Sequence, residues 1–318
     1  VLAFKDSNLK KESFRQLAEN PPFKRSPTMQ LNITGYSTAL FSTWYFIDEL
    51  RILFDAGDGV SANLLQKSRK IEHVFISHAD RDHLGGLFQF NQLNARQGYP
   101  VIYYPKDSGS FPAIKDFTTQ FDPHVAGAVW NPITPESNLR IKEDLIIKAI
   151  ANGHVATKPG VRSLSYKVIQ SKLKLKPGLT KLPGEEIRRI IEEQGKANTH
   201  TEVQTTLLGY SGDTPVEDLT RWENTKVLIH EATFMHEEDN QIFAHGNKHS
   251  YLEEVMEMVS RSNVEQLILG HFSARYSAEQ IDRRIRELCN RYAINIPVFR
   301  VLPGEVSTDI LKAPAVNA

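Results

Sequence analysis

The chain has 318 residues, 40% of them hydrophobic and 24% charged, which suits a soluble globular protein with a sizeable core. Its 38 Lys+Arg balance its 38 Asp+Glu, which excludes a nucleic-acid binder acting through overall basic charge but leaves room for a locally basic face. A single cysteine, Cys289, excludes an internal disulfide framework and a Cys-rich zinc site.

Residues 1–28 are polar, end in the Pro-rich ENPPFKRSPT, and read as an N-terminal extension. Residues 29–310 read as one domain and 311–318 as a tail. Short β-like runs recur at 31–35, 43–47, 51–54, 71–77, 101–104, 145–149, 163–169, 205–210, 226–229, 266–269 and 297–301. Helical patterns fall at 61–69, 84–93, 185–193, 251–260 and 277–292. The last of these carries Cys289 on one stripe with Ile281, Ile285 and Leu288, so the thiol reads as a core filler. Residues 171–200, with KPG, LPG and a short charged helix, read as an insertion within the domain. Many strands among a few helices imply a layered α/β or α+β fold. No apolar run approaches the ~18 residues of a membrane span. The charged N-terminal stretch lacks a signal-peptide core, so no membrane partner and a cytoplasmic location are expected.

The strongest chemical signal is IEHVFISHADRDHLGGL at 71–87. An apolar strand runs into His78, Asp80, Asp82 and His83, then into two glycines and a helix. Residues i and i+2 of an extended segment share a face, so His78 and Asp80 can converge, while Asp82 and His83 follow as the chain turns. Gly85 and Gly86 permit close backbone approach. Burying two carboxylates without cations would be costly. Single ligand-type residues end other apolar strands: His154 in ANGHV, Asp213 in YSGDT, His271 in LILGHFSARY. Each alone reads equally as a loop histidine, a turn former or a strand cap. Their repetition suggests strand ends gathered at one sheet edge, where α/β folds build sites.

As a set, these stretches resemble the metallo-β-lactamase superfamily, and within it the ribonuclease Z family of tRNA 3′-end-processing endonucleases. HADRDH is similar to the superfamily's His-x-His-x-Asp-His at His78, Asp82 and His83. LFDAGDG resembles its upstream Asp motif, with Asp55 as the acid behind the ligands. GHVATKPGVRSLSY supplies His154, SGDT supplies Asp213, and LGHFSARY supplies His271. His230-Glu231-Ala232-Thr233 matches the ribonuclease Z His-Glu-Ala-Thr motif, and NKHSY resembles its Gly-His-Ser-Thr motif at His249.

The resemblance implies an α/β four-layer αββα sandwich. It implies two divalent metal ions, zinc or manganese, with iron as an alternative. His78, Asp80 and His154 would hold one ion, Asp82, His83 and His271 the other, with Asp213 between them. A bridging hydroxide would be the nucleophile, since zinc lowers the pKa of bound water from about 15.7 to about 7. Asp82 would orient it or accept its proton. Glu231 and His249 would relay a proton to the departing oxygen, and Asp55 would fix a ligand histidine's tautomer. His73, His124, His200, His236 and His245 match no motif position and read as structural or exposed.

Two departures qualify the likeness. Asp80 stands where the family has its second histidine; an oxygen ligand there favours manganese or iron relative to zinc, and a carboxylate at that position also occurs in the flavodiiron branch. The interval 165–211, where bacterial relatives carry a long arm, contains Pro177-Gly178 in reversed order and no clear arm. Yet the overlapping stretch 158–181 carries Lys158, Arg162, Lys167, Lys172, Lys174, Lys176 and Lys181 and no acidic residue. Lys172, Lys174 and Lys176 are therefore candidate RNA contacts, although acids at 185, 186, 192 and 193 balance them. The expected function is hydrolysis of an RNA phosphodiester at the precursor-tRNA 3′ end. The alternatives are another RNA, a small nucleotide or cyclic phosphodiester, or a diiron redox protein. Dimers are usual in the family, so the resemblance allows a homodimer without fixing the oligomeric state.

Overall fold

The computed structural model describes residues 30–155, 160–241 and 248–318. The expected extension 1–28, and with it Lys158 and His245, lie outside the described residues. The chain divides into Val1–Leu31 and Asn32–Ala318, and both sheets belong to the second unit.

Thirteen strands occur among the described residues: β1 (Ile33–Thr38), β2 (Ser42–Ile47), β3 (Ile52–Phe54), β4 (His73–Phe75), β5 (Val101–Pro105), β6 (Val129–Ile133), β7 (Asn138–Lys142), β8 (Leu145–Ala151), β9 (Leu164–Leu175), β10 (His200–Tyr210), β11 (Thr225–Glu231), β12 (Gln266–Gly270) and β13 (Val298–Arg300). The helices are α1 (Val60–Leu64), α2 (Arg81–Leu84), α3 (Leu87–Asn94), α4 (Ser110–Phe121), α5 (Gly184–Gln194), α6 (Lys196–Thr199), α7 (Glu237–Gln241), α8 (Leu252–Ser260) and α9 (Ala278–Arg291). One sheet has the order β1-β2-β3-β4-β5-β6 and the other β13-β12-β11-β10-β9-β8-β7. Strands β3 to β6 run parallel, as do β10 to β13.

The period-2 alternation of the central strands makes the layers. Leu53 and Val74 turn outward and pack with Val60, Leu87, Phe90 and Phe111 from α1, α3 and α4. Phe54 and Phe75, their neighbours, turn inward, with ring centroids 4.9 Å from Tyr210 and 5.3 Å from Tyr166 of the facing sheet. On the second sheet Leu228, Leu267 and Leu269 pack with Val255, Met256, Ile281, Ile285 and Cys289 of α8 and α9. Each such side chain contributes about 1.5–3 kcal/mol by leaving water. The result is helix, sheet, sheet, helix: the four-layer sandwich. Cys289 fills this core.

Strands β6 and β7 and helix α4 escape the sequence reading for local reasons. VWNPI of β6 carries a proline, which an edge strand tolerates, and β6 and β7 are sheet edges. In α4, Pro112 follows DSGS and resembles a turn, yet a proline in the first helical turn costs no hydrogen bond. Residues 311–318 are joined to the body rather than hanging free: the Val316 N–H donates to the Val298 carbonyl, and Asn317 donates to that of Ile296.

The interval that reads as lacking an arm is built as one. Beyond Gln170 and Thr205, β9 and β10 pair only with each other, down to Leu175 opposite His200. Helices α5 and α6 cap the far end of this hairpin.

Candidate metal centre

The C-terminal ends of β3, β4, β8, β10, β11 and β12 meet at one edge between the sheets. Asp55 follows β3, His78 to His83 follow β4, His154 follows β8, Asp213 follows β10, Glu231 ends β11 and His271 follows β12. The loop carrying HADRDH lies flat on the DAG segment: the Ala56 N–H donates to the His83 carbonyl, and the Gly86 N–H to that of Ala56. A Cβ on Gly57 would stand 2.3 Å from the Asp82 carbonyl, and one on Gly86 would stand 2.2 Å from that of Gly57. Both positions need glycine because the backbones touch. Asp55 and His271 adopt left-handed φ angles of 53° and 60°. Such strain is characteristic of sites where the surroundings fix the conformation.

The side chains gather in two groups that share Asp213. One is His78, His154 and Asp213; the other is Asp82, His83, Asp213 and His271. Half-exposed Asp80 joins the first, its Oδ2 3.5 Å from His78 Nε2 and 3.7 Å from His154 Nε2. Asp213 Oδ2 lies 3.7, 3.2 and 3.3 Å from the Nε2 atoms of His78, His83 and His271. Asp82 Oδ2 lies 3.3 Å from His271 Nε2 and accepts the Leu40 N–H at 3.0 Å.

Hydrogen bonds on the far side of each ring define what faces inward. His83 Nδ1 donates to Asp55 Oδ2 at 2.7 Å, and His154 Nδ1 to the Lys248 carbonyl at 2.7 Å. Both partners only accept, so both Nδ1 atoms carry the proton. The Ser77 hydroxyl donates to Asp55, so it receives the His78 Nδ1–H at 2.9 Å. A neutral imidazole then presents a bare Nε2. Buried Nε2 atoms of His78 and His154 have no hydrogen-bond partner among the described residues. Lone pairs thus face carboxylate oxygens, and a cation between them satisfies both. The donor set of imidazole and carboxylate fits divalent zinc or manganese.

A proton competes with a cation for the same inward-facing nitrogens. Burial opposes protonation of His83, but the Asp213 and Asp55 carboxylates outweigh it and raise its pKa well above the usual value. The neighbouring His154 and His78 imidazoles hold Asp80 well below the usual carboxylate range. Burial pushes Asp82 upward, yet the neighbouring His271 and His83 imidazoles bring it down to about 2.

Beside the second group sits an acid–imidazole pair. His249 Nδ1 is 3.2 Å from Glu231 Oε1, and its ring stacks on His271 at 5.5 Å. Glu231 also accepts the Thr214 N–H at 2.6 Å and the Thr233 hydroxyl at 2.5 Å. Its neighbour His230 points the other way along β11, edge-on to Trp222. Away from the centre, His73 is buried against Tyr103, and exposed His124 bonds Asp122. His200 accompanies Thr199 in the hairpin, and His236 is exposed.

Several contributors carry no ligand-type signature in sequence. Tyr210 donates to Asp55 from the end of β10. Ser77 gives Asp55 its N–H at 2.6 Å as well as its hydroxyl. Thr233 touches Glu231 and His271. Only Thr233 falls within a motif; the others are ordinary strand-end residues until the two sheets meet.

Residues 50–272 match the family model described as Beta-lactamase superfamily domain. A ribonuclease Z of Pyrococcus horikoshii is 31% identical over 75% of this chain and 82% of its own length. A chloroplastic tRNase Z of Arabidopsis thaliana is 27% identical over 83% of this chain and 73% of its own. Among solved structures, the metallo-β-lactamase fold protein YhfI of Bacillus subtilis superposes with a TM-score of 0.57 at 16% identity, covering 87% of this chain and 99% of that one. The human short-form tRNase Z superposes with a TM-score of 0.53 at 18% identity, over 87% and 98%. No helix among the described residues is long and apolar enough to cross a membrane. With its motifs, fold and relatives in agreement, the chain belongs to the ribonuclease Z family of the β-lactamase superfamily and is a metal-dependent hydrolase.

Proposed function

We propose that the protein hydrolyses an RNA phosphodiester, at the 3′ end of precursor tRNA, with two divalent cations at the strand-end centre. The observation that carries this reading is the pairing of a two-group ligand cluster with a proton-donor pair. His78, Asp80 and His154 would hold one cation, Asp82, His83 and His271 the other, and Asp213 both. When bound, the cations supply an activated water and neutralise charge developing on the phosphate.

The chain's own groups do the rest. Asp82, which accepts the Leu40 N–H, would orient the attacking water and take its proton. His249 is partly exposed at the mouth of the centre, and the Glu231 carboxylate keeps it protonated, so it can give a proton to the departing oxygen. Lys172 and Lys174 share one face of the hairpin, opposite Val203 and Thr201 in register, and with Lys176 they lie on the hairpin's surface. They suit contact with a phosphate backbone. Redox chemistry would leave the Glu231–His249 pair without a role.

The test is cleavage of a precursor tRNA carrying a 3′ trailer, with Mn²⁺ or Zn²⁺. A cut at the end of the acceptor stem, lowered at least about 100-fold by Asp82→Ala, is expected. Turnover of a small aryl phosphodiester without any tRNA cut would replace this reading with a non-tRNA phosphodiesterase.

A further inference from the structure

Thr233 has one hydroxyl proton and three functional neighbours. Its Oγ1 lies 2.5 Å from Glu231 Oε2, 2.8 Å from His271 Nδ1 and 3.3 Å from His249 Nδ1. A carboxylate only accepts, so the hydroxyl proton goes to Glu231. The hydroxyl oxygen therefore receives the Nδ1–H of His271. That assigns the His271 tautomer: Nε2 bears the lone pair and faces Asp82 and Asp213, each 3.3 Å away. His249, the more distant donor, spends its Nδ1–H on the other oxygen of Glu231.

We infer that Thr233 is a positioning residue, joining the proton-donor pair Glu231–His249 to the candidate metal ligand His271 and holding that imidazole in its metal-binding tautomer. The inference rests on the two-cation reading of the site. It adds a residue to which neither motif spacing nor ligand chemistry assigns a role. The His271 main chain is already anchored, its N–H donating to Ser37 Oγ at 2.8 Å. What the main chain does not fix is which ring nitrogen carries the proton, and Thr233 supplies that. The direction of both hydrogen bonds is forced. Reversing either would put a proton on a group that already has one, or leave the buried Glu231 oxygen without its side-chain donor.

Valine keeps the shape of threonine and removes the hydroxyl; serine keeps the hydroxyl. The experiment is titration of metal-free wild type, Thr233→Val and Thr233→Ser with Co²⁺, followed by visible absorption and calorimetry, on protein whose circular dichroism matches wild type. Wild type and Thr233→Ser are expected to take up two ions with similar affinities. Thr233→Val is expected to bind one ion normally and the other about 10–100-fold more weakly, because Thr233 bonds His271 of the group Asp82, His83, Asp213 and His271. Equal affinities in wild type and Thr233→Val would overturn the inference. So would equal weakening of both ions, or a serine variant as weak as the valine one. Wild type that takes up no Co²⁺ would overturn the two-cation reading itself, a result that a defect confined to one ion cannot imitate.

Discussion

Burial pulls His249 toward neutrality, and the carboxylates of Glu231 and Asp213 pull it toward charge. The carboxylates win, and its pKa rises from 6.5 to about 9. Its charged form is therefore favoured by folding. That contribution to stability is fully present below pH 6.5 and disappears as pH climbs through about 9. Urea melts of wild type and His249→Ala should differ most below pH 6.5 and converge above 9. In its proposed role as proton donor, His249 would stay charged across neutrality, so the alkaline limb of kcat/KM should fall near pH 9. Glu231→Gln should move that limb down toward the ordinary histidine range and slow RNA cleavage about 10²–10⁴-fold. A limb that stays near 9 in the variant would show that Glu231 does not set it. At this scale the sequence is informative wherever chemistry alone marks a residue. His78, Asp82, His83, Asp213 and His271 stand out as ligand types at strand ends. Tyr210, Ser77 and Thr233 do not, because a hydroxyl acquires a role only from what it touches.

Strand ends set the site's geometry, and the hairpin sets its reach. The candidate ligands His78, His154, Asp213 and His271 follow strands, and Asp82 and His83 stand in α2, where backbone hydrogen bonds to the DAG segment hold them. The hairpin of β9 and β10 is held by the sheet only up to Gln170 and Thr205. Beyond that its lysines stand away from the core. Replacing Lys172, Lys174 and Lys176 together with alanine should flatten the salt dependence of RNA cleavage. The log–log slope should fall by about 2–3, at about 0.7–0.9 for each phosphate that a lysine no longer neutralises. Turnover of a small aryl phosphodiester should not change. An unaltered slope would remove the hairpin lysines from RNA binding. The Pro-Gly order and charged composition of this interval make it read as armless. Local sequence does not reveal that its two exposed segments, one of them lysine-rich, pair with each other, because that pairing is set by registers inherited from the buried halves of the same strands. Likewise β6 and β7 escape notice because edge strands are not required to be continuously apolar.

The two sheets each bring part of the centre. Asp55, His78, Asp82 and His83 belong to the first, and His154, Asp213, Glu231 and His271 to the second. Cations held between them would bind only the folded chain, in which the sheets face each other. Ligand that binds the native state at about 100 times its Kd adds about 2.7 kcal/mol of stability. Chelation with EDTA should therefore lower the melting temperature, and Mn²⁺ or Zn²⁺ should restore it. A melting curve indifferent to both would argue against cations bridging the sheets. Metal-independent links between the sheets include an aromatic cluster of Phe54, Phe75, Tyr166 and Tyr210, and Tyr166 donates to the Ile76 carbonyl at 2.6 Å.

The layered class, the strands that end in candidate ligands and most of the ligand-type groups were legible in the sequence. They were legible because periodicity and side-chain chemistry are local properties, written in consecutive residues. Only the tertiary structure decided which groups converge. His83 and His271 are 188 residues apart, yet their Nε2 atoms are 3.3 Å apart. Tautomers, the direction of the Thr233 hydrogen bonds and the balance of charge between carboxylates and imidazoles follow from such distances. They depend on atoms brought together by folding, and the spacing of residues along the chain does not contain them.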